Sequence, residues 1–301
     1  MKKKGGLLHE IRCSVPAYIC VLPTIIVLFV FLYIPFFNAF RISLYNYKGF
    51  GEMTDFVGLA NYIKTWNDPR FWMAWSHTIR LIVVDLVVSL SIAFFFAYQL
   101  FKGIRGKKFF NTVLFIPYLI SMVVVGCIWK TIYDPNIGPL NQILDMVGLG
   151  NLATAWLSNQ GTAMNAIIVT WVWRIIPFNL LIMYANLMTL PKDYLEAAAI
   201  DGAGTWQKIR YIILPYMVPT FVTLGVLSIT NDLRCFDLIH VMTAGGPGGA
   251  SEVLSTYIYQ KAFAQNRFGQ SSAASIIMMV IMLTLTVVMN LIKKKAGERN
   301  E

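Results

Sequence analysis

Glu196-Ala197-Ala198-Ala199-Ile200-Asp201-Gly202-Ala203, followed by Ile213-Leu214-Pro215, lies between two apolar runs that are long enough to cross a membrane. Acidic residues suit the positive N-terminal end of a helix, and consecutive alanines extend a helix at low entropic cost. Asp201-Gly202 predicts the end of this helix, because glycine readily adopts the left-handed conformation that ends helices. A second short helix, capped by Thr205, is expected to lead into the next apolar run. The stretch therefore predicts a helix-turn-helix between two membrane spans.

The composition of the whole chain agrees with membrane spans. Of its 301 residues, 57% are hydrophobic and 13% are charged, and the mean hydropathy is +0.60. A soluble domain has about 25% charged residues, and a spanning helix needs about 20 mostly apolar residues. We therefore predict an all-α membrane protein with six transmembrane helices. The predicted spans are Cys13 to Phe40, Leu86 to Leu100 with Phe101, Phe109 to Trp129, Met146 to Trp173, Tyr211 to Asn231 and Phe268 to Ile292.

The first run has a second interpretation, because Met1-Lys2-Lys3-Lys4 before an apolar stretch is also how a secretory signal peptide begins. The run is much longer than the roughly 7–15 residues of a signal-peptide core, and no small-x-small cleavage site follows it. We expect an uncleaved anchor helix with an outer loop over residues 1–75. Residues 76–295 are expected to form the transmembrane core with a polar loop at 189–211, and residues 296–301 a tail.

The distribution of basic residues predicts the orientation, because cytoplasmic loops are enriched in Lys and Arg. With the N-terminus inside, fifteen basic residues lie on the cytoplasmic side and six on the outer side. Both termini and the polar loop at 189–211 are therefore expected to be cytoplasmic. The net charge of +10 is then explained by these loops and by anionic lipid headgroups, so the charge requires no nucleic acid partner.

Two classes of chemistry have weak support in the sequence. The basic loop from Phe101 to Lys108 does not match the phosphate-binding pattern G-x-x-x-x-G-K-[ST]. The three histidines form no H-E-x-x-H motif and the four cysteines no C-x-x-C pair, so we expect no metal site, no catalytic residue and no cofactor bound by this chain. A secondary transporter remains a rival interpretation, because kinked spans carrying Pro117, Pro177 and Pro219 are also found in that class.

Two blocks of sequence resemble the permeases of binding-protein-dependent ABC importers. The first is Leu190 to Ala198 with Asp201-Gly202-Ala203, which is similar to the EAA motif of the carbohydrate-uptake branch. The second is Phe236 to Ile239 with Thr243 and Gly245-Gly246-Pro247, which resembles the first of two paralogous membrane subunits. The chain departs from the family pattern at Ile209, where Phe is frequent, and at His240, where Tyr is frequent.

This resemblance implies a type I ABC importer permease fold in the cell membrane, together with a set of partners. The partners are a paralogous permease, a cytoplasmic ATPase dimer that uses the ATP, and an extracytoplasmic solute-binding protein. The loop at 189–211, called the coupling loop below, would transmit motion of the ATPase. We expect Gly245, Gly246 and Pro247 to face the binding protein, although a flexible turn is the simpler interpretation. The residues expected to contact the ATPase are Glu196, Ala197, Ala198, Asp201, Gly202 and Ala203.

Polar residues inside predicted spans are candidates for the solute path, because burying them in lipid is costly. Ser228, Asn231, Asp232 and Cys235 are spaced for one face of the fifth helix, and the resemblance implies solute contacts on this segment. Their hydrogen-bonding groups suit a sugar or an oligosaccharide, and hydrogen bonding between helices is the alternative role.

Arg174 directly follows the fourth uncharged run and is expected near the middle of the fourth span, followed by Phe178 and Asn179. Arg174 suits either an anionic solute, such as a sugar phosphate or a uronate-containing oligosaccharide, or an ion pair with Asp85 or Asp232. The ion pair is the favoured interpretation. Arg80, Asp85 and Lys130 are expected near the outer ends of the spans.

Overall fold

The computed structural model describes residues 7–104 and 106–297. The tail predicted at 296–301 and the basic residues Lys2, Lys3, Lys4, Arg105 and Arg299 lie wholly or largely outside this part of the chain. The described residues form helices joined by turns and loops, with one isolated bridge between Tyr45 and Phe56 as their only extended pairing. The long apolar helices confirm the predicted all-α class.

Fifteen α-helices follow one another along the described chain. They are α1 (Leu7–Leu28), α2 (Ile34–Ser43), α3 (Ala60–Trp66), α4 (Pro69–Val84), α5 (Leu90–Lys102), α6 (Lys107–Leu119), α7 (Met122–Ile132), α8 (Pro139–Met146), α9 (Ala163–Leu187), α10 (Lys192–Ile200), α11 (Thr205–Lys208), α12 (Leu214–Leu233), α13 (Asp237–Met242), α14 (Leu254–Tyr259) and α15 (Phe268–Gly297). Short π-helical turns join some of them into longer rods. These turns are Phe29–Tyr33, Asp85–Ser89 and Ile209–Ile213, and a fourth, Gln260–Ala264, follows α14.

Five of the resulting helical rods are long and apolar enough to cross a membrane. They are Tyr18–Ser43, Pro69–Lys102, Ala163–Leu187, Thr205–Leu233 and Phe268–Leu291. A sixth candidate consists of two helices, Thr112–Leu119 and Met122–Ile132, which are bent by 103° at the break between them. The predicted count of six is reached when this bent pair is counted as one span.

Two predicted spans need correction. The third is broken and not merely kinked: Ile120 and Ser121 adopt extended backbone angles, three residues after Pro117. The fourth begins at Ala163 and not at Met146. Residues between these positions are uncharged but polar, including Asn151 and Asn159, so the absence of charge does not make a helix there. At its other end the helix continues past Arg174.

The described chain divides into two compact units. One contains the residues up to Thr65 together with Lys261–Ile276. In this unit, the apolar residues of the span Tyr18–Ser43 are not buried by the rest of the described chain. The other contains Trp66–Gln260 and the chain from Ile277.

The second unit has two apolar cores. In one of them α7, α9 and α13 meet, and its members include Val125, Ile167, Trp171, Leu238 and Ile239. In the other core α5 packs against α9 and the start of α12, with Ala97, Leu100, Met183, Leu187 and Met217 among its members. The short side chains of Ala93 and Ala97 are fully buried, which allows α5 and α9 to approach closely. This packing holds α9, α12 and the loop between them, the segments that carry most of the candidate residues.

Candidate functional site

The coupling loop is a helix-turn-helix. Pro191 precedes α10 as its N-cap residue, and Asp193 lies in the first turn of this helix. Gly202 has φ +77°, and the amide of Ala203 donates to the carbonyl of Ala198 at 2.8 Å. With the Gly202 amide bonded to the carbonyl of Ala199 at 3.1 Å, this is the Schellman pattern of a helix end. The predicted stop at Asp201-Gly202 is confirmed.

The N-cap residue of the second helix in the loop lies one position earlier than predicted. Gly204, and not Thr205, is the N-cap residue of α11, and its amide donates to Oε1 of Gln207 at 2.7 Å. Through the π turn at Ile209–Ile213 this helix continues without a break into α12. No flexible linker therefore separates the coupling loop from the membrane span Thr205–Leu233.

The coupling loop exposes apolar side chains to its surroundings. Ile200 is 88% exposed, and the side chains of Tyr194, Trp206 and Tyr211 are also largely exposed. A cavity of about 520 Å³ lies beside them, and Ala197, Ala198 and Asp201 are among the residues that line it. Glu196 and Gly202 are exposed, whereas Ala198 and Ala203 are half-buried. Clustered apolar exposure of this kind is found where a protein contacts another protein or a membrane surface.

The predicted polar face of α12 is only partly correct. Ser228, Asp232 and Cys235 are buried, whereas Asn231 is exposed. Asn231 and Asp232 are adjacent residues, so their side chains lie about 100° apart around the helix, on either side of Ser228. Cys235 lies beyond Leu233, where α12 ends. The structure therefore brings Ser228, Asp232 and Cys235 into the protein interior and leaves Asn231 on the surface of this chain.

Asp85 was expected near the outer end of a span, and this prediction is wrong. Asp85 opens the π turn Asp85–Ser89 in the middle of the span Pro69–Lys102, and its side chain is 0% exposed. Ser89 and Ser228 lie beside it, but neither side-chain oxygen of Asp85 has a hydrogen-bond partner of acceptable geometry. Single π turns inside longer helices are frequent at functional sites. This turn changes the register of the helix and directs Asp85 inward.

Asp232 lies close to Asp85 in the same buried region. Its Oδ1 accepts a hydrogen bond from Nε1 of Trp171 at 2.8 Å, and its Oδ2 has no partner. Asn179 is also buried here, and its Nδ2 donates to Oγ of Ser89 at 2.9 Å. Buried polar groups without partners are costly, so the three unpartnered carboxyl oxygens of Asp85 and Asp232 leave hydrogen-bonding capacity unused in this conformation.

The predicted ion pair of Arg174 is not formed. Among the described residues, neither Asp85 nor Asp232 lies within ion-pair distance of it. The Arg174 guanidinium lies 5.0 Å from the ring centre of Tyr118, and its Nη2 makes long hydrogen bonds of 3.4 and 3.5 Å to the carbonyls of Tyr118 and Ile120. These carbonyls lie at the break between α6 and α7, where helical hydrogen bonding stops. Arg174 thus contacts the broken span from α9 through Nη2, whereas its buried Nε has no hydrogen-bond partner among the described residues.

Phe178 lies one helical turn after Arg174 in α9 and also contacts Tyr118. Its ring stacks on Tyr118 with the ring centres 5.1 Å apart and the planes 23° from parallel. Tyr118 therefore contacts both the guanidinium of Arg174 and the ring of Phe178, two side chains of α9. The sequence indicated that Arg174 and Phe178 share a face of the helix, but it held no indication that Tyr118 is their partner.

Gly245, Gly246 and Pro247 belong to a loop that is closed by hydrogen bonds. Oγ of Ser251 contacts Oγ1 of Thr243 at 2.7 Å and donates to the carbonyl of Gly246 at 2.6 Å. Nε2 of Gln260 donates to the carbonyl of Ala244 at 3.0 Å. A cavity of about 390 Å³ borders this loop, and Gly246, Pro247, Lys130 and Asp134 are among the residues that line it. The loop therefore presents a concave surface of fixed shape.

Asp134 contributes a stable negative charge to this cavity. Its Oδ1 accepts the amides of Asn136 at 2.9 Å and Ile137 at 3.0 Å. These hydrogen bonds, first that from Ile137, hold the pKa of Asp134 below its usual value, because they favour the ionised form.

An ion pair that the sequence did not indicate anchors the same loop. The Arg70 guanidinium donates to both carboxylate oxygens of Glu252, through Nη2 at 2.8 Å and Nε at 3.2 Å, and its Nη2 also donates to Oε1 of Gln260 at 2.9 Å. The Tyr257 hydroxyl donates to Oδ2 of Asp68 at 2.9 Å, and burial raises the pKa of Tyr257 well above its usual value. Arg70 and Glu252 are 182 residues apart, so no local pattern could reveal the pair.

Comparison with known proteins gives concordant matches over most of the chain. Residues 89–298 match the model of the family described as "Binding-protein-dependent transport system inner membrane component". The trehalose/maltose transport system permease protein MalF of Thermococcus litoralis is 31% identical to this chain, with coverage of 90% of this chain and 91% of that protein. The sn-glycerol-3-phosphate transport system permease protein UgpA of Agrobacterium fabrum is 33% identical, with coverage of 89% and 91%.

The fold also has a solved counterpart. A chain in the crystal structure of a bacterial alginate ABC transporter, in complex with an alginate pentasaccharide-bound periplasmic protein, superposes with a TM-score of 0.84 at 25% identity. The match covers 96% of this chain and 97% of that chain. The helical architecture, the coupling loop and these matches agree, and the chain belongs to the family of inner membrane components of binding-protein-dependent transport systems.

Proposed function

We propose that this chain is one of two membrane subunits of an ATP-driven importer and that it passes a sugar or an oligosaccharide inward by alternating access. The observation that carries the proposal is the exposed coupling loop, which is rigidly continuous with a membrane span through the π turn Ile209–Ile213. The relatives are named for trehalose and maltose, for sn-glycerol-3-phosphate and for alginate transport, which supports a carbohydrate or a closely related solute.

The proposed role of the coupling loop is to bind a separate ATPase subunit in the cytoplasm. Ala197 and Ala198 border the cavity beside α10 without filling it, so a side chain of the ATPase could enter. An added Cβ on Gly202 would find no atom within 4 Å, so the surface there is open to a partner. In this proposal the chain itself binds no ATP, and movement of the ATPase dimer is transmitted to α12 through α11.

The proposed solute path runs along the buried region of Asp85, Ser228, Asp232 and Asn179. Hydroxyl groups of a sugar can donate to carboxylate oxygens and accept from an amide. The unpartnered oxygens of Asp85 and Asp232 are suitable acceptors, but both residues are buried in this conformation. Solute access therefore requires the helices around them to separate, as alternating access demands.

An anionic solute is the second candidate, because sn-glycerol-3-phosphate and the acidic polysaccharide alginate, for which two of the similar proteins are named, are anions. Arg174 was the residue that suggested it, and its guanidinium is engaged with Tyr118 and with the carbonyls at the break of the third span. A solute anion would have to replace these contacts. We therefore assign Arg174 a role in holding the broken span and keep a sugar or an oligosaccharide as the proposed solute.

The remaining parts of the proposal concern orientation and the outer partner. We place both termini and the coupling loop in the cytoplasm, because basic residues predominate on that side. A solute-binding protein would then contact the outer face, at the closed loop that carries Gly245, Gly246 and Pro247. The cavity beside this loop has one cationic and one anionic side chain, Lys130 and Asp134, to contribute to recognition. The chain is an inner membrane component, so lipid surrounds its spans.

Reconstitution tests the proposed function. The chain would be assembled with the paralogous permease, the ATPase and the binding protein in vesicles, and uptake of radiolabelled maltose, trehalose and longer oligosaccharides measured with and without ATP. Uptake that requires both ATP and the binding protein is the expected result. Uptake that is driven by an ion gradient in the absence of the ATPase would contradict the proposal and favour a secondary transporter.

A further inference from the structure

The unit that contains residues up to Thr65 and Lys261–Ile276 has a polar cavity that the proposed function does not use. Its volume is about 580 Å³, and it is lined by the chain after α2, by α3 and by the start of α15. Three of the lining residues are cationic, namely Lys48, Lys64 and Arg267, and none of them is acidic. We propose that this cavity binds the phosphate group of a membrane lipid.

Hydrogen bonds hold the backbone segments that form the wall of the cavity. Asn61, which is 4% exposed, donates through Nδ2 to the carbonyls of Ser43 at 2.8 Å and Tyr45 at 2.9 Å. The amide of Gly269 donates to the carbonyl of Tyr47 at 3.1 Å, and a Cβ on Gly269 would lie 2.1 Å from the carbonyl oxygen of Tyr45. Only glycine permits this approach. The backbone positions from which the three cationic side chains extend are therefore held relative to one another.

The charge of the cavity is uncompensated within the described chain. No carboxylate among the described residues lies within ion-pair distance of Lys48, Lys64 or Arg267. Asp55 belongs to the same outer segment, but its carboxylate accepts a hydrogen bond from Nδ2 of Asn46 at 2.8 Å. Like charges that line one cavity repel one another, so an anion bound between them is stabilised by all three. Phosphate oxygens are suitable acceptors for the donors of Lys and Arg.

The position of the cavity identifies the source of the phosphate. The span Tyr18–Ser43 ends at Ser43, and the span Phe268–Leu291 begins at Phe268. The cavity is lined by residues within a few positions of both ends, including Asn46 and Arg267, so it lies at the level of the lipid headgroups. The ring of Tyr47, at the cavity, packs edge-on against Phe268 with the ring centres 6.2 Å apart, as expected of aromatic residues at the membrane interface. Lipid phosphates are concentrated at this level, so we choose a lipid over an acidic segment of a soluble protein.

Lipid binding by the assembled transporter tests this proposal without any measurement of solute uptake. The complete complex would be delipidated in detergent and titrated with phosphatidylglycerol, with phosphatidylcholine or with inorganic phosphate, and bound molecules counted by native mass spectrometry. Each of Lys64→Gln and Arg267→Gln is expected to weaken phosphatidylglycerol binding about fivefold, because a basic residue near a lipid surface contributes on that order. Lys64→Arg should retain binding. Arg234→Gln, which removes an exposed cation that does not line this cavity, should leave it unchanged.

The comparison between ligands distinguishes the sources of the phosphate. Tighter binding of phosphatidylglycerol than of inorganic phosphate supports a lipid site, since the acyl chains add contacts with the exposed span. Equal binding of inorganic phosphate would overturn the lipid assignment, and so would a phosphatidylglycerol affinity that neither Lys64→Gln nor Arg267→Gln changes. Chemical cross-links from Lys64 to the solute-binding protein that phosphatidylglycerol fails to reduce would also overturn it, because the cavity would then be covered by protein.

Discussion

Arg70 and Glu252 form a bidentate ion pair that joins the start of α4 to the end of the loop before α14, with Nη2 of Arg70 at 2.8 Å from Oε1 of Glu252. The Glu252 side chain is fully buried, and that of Arg70 is 43% exposed. His77 contacts the carbonyl of Glu252 through Nδ1 at 2.9 Å, so the segment is held to α4 at two points. The outer loop that is proposed to meet the binding protein thus has a rigid base.

Glu252→Gln is expected to destabilise this base. Glutamine retains one acceptor oxygen but loses the charge, so Arg70 keeps at most one of its two hydrogen bonds to this residue. We expect the free energy of unfolding to fall by about 1–3 kcal/mol. This is less than the loss for a fully buried pair, because Arg70 is partly solvated. The midpoint of thermal denaturation of the purified complex measures it. Glu52→Gln, which changes an exposed acidic residue of an outer segment, is the control, and equal midpoints for the two variants would refute a structural role for the pair.

Glu196→Lys is expected to uncouple the transporter. Glu196 is exposed in α10 beside the cavity of the coupling loop, and a reversed charge would oppose docking of the ATPase. We expect ATP-dependent uptake to fall more than tenfold while the amount of the chain in the membrane stays the same. Asp193→Lys makes a similar charge change in the first turn of the same helix and should have a smaller effect on uptake. If both variants reduce uptake equally, general helix destabilisation and not docking is the cause.

Substitution of Gly202 separates backbone strain from contact with the partner. Gly202 has φ +77°, a backbone conformation that costs a residue with a side chain about 1 kcal/mol. A Cβ added at this position would contact no atom of this chain. Gly202→Ala should therefore leave the chain folded and reduce uptake moderately, whereas Gly202→Asp should abolish uptake, because a larger charged side chain blocks the partner. Gly204→Ala, at φ −70°, is the matched control and should transport normally. Uptake by Gly202→Asp at the wild-type rate would exclude close contact at this turn.

Arg174→Lys tests whether the shape or the charge of this residue matters. Lysine keeps the charge, but it lacks the planar guanidinium that lies over Tyr118 and reaches two carbonyls. We expect Arg174→Lys and Arg174→Gln to lower the denaturation midpoint and the uptake rate to a similar degree. Arg234→Lys, on an exposed arginine whose Nη2 contacts Sδ of Met282 at 4.0 Å, should have little effect. Normal uptake in Arg174→Lys, with loss in Arg174→Gln, would instead indicate that the charge acts on a solute.

Asp232→Asn tests the proposed solute path. Asparagine can still accept the hydrogen bond from Trp171, so the variant should fold, but it presents an amide where the carboxylate has an unpartnered oxygen. We expect KM for uptake to rise by up to about tenfold with a smaller change in the maximal rate, since one hydrogen bond contributes about 0.5–1.5 kcal/mol. Asp237→Asn, on an exposed residue of α13, is the control. A change in maximal rate alone would assign Asp232 a role in helix movement instead.

Local features of the chain were predicted well, and features that depend on distant contacts were not. The stop at Gly202 follows from the conformational preference of glycine and needs no partner. The start of the fourth span was wrong because polar uncharged residues such as Asn159 were counted as span, whereas the position of Arg174 near the middle of the helix was predicted correctly. That arginine contacts Tyr118 and Ile120, which lie on another span, and no rule based on neighbouring residues can detect such a contact.

The sequence by itself determined the class of the protein, the number of spans when the bent pair is counted as one, and the shape of the coupling loop. These depend on apolar run length, on helix capping and on glycine, all of which act within a few residues. Only the tertiary structure decided that the third span breaks after Leu119, that Asp85 and Asp232 are buried without an ion pair, and that Arg70 holds Glu252. The burial and partners of a charged side chain depend on which helices pack together, and that packing is a property of the whole chain.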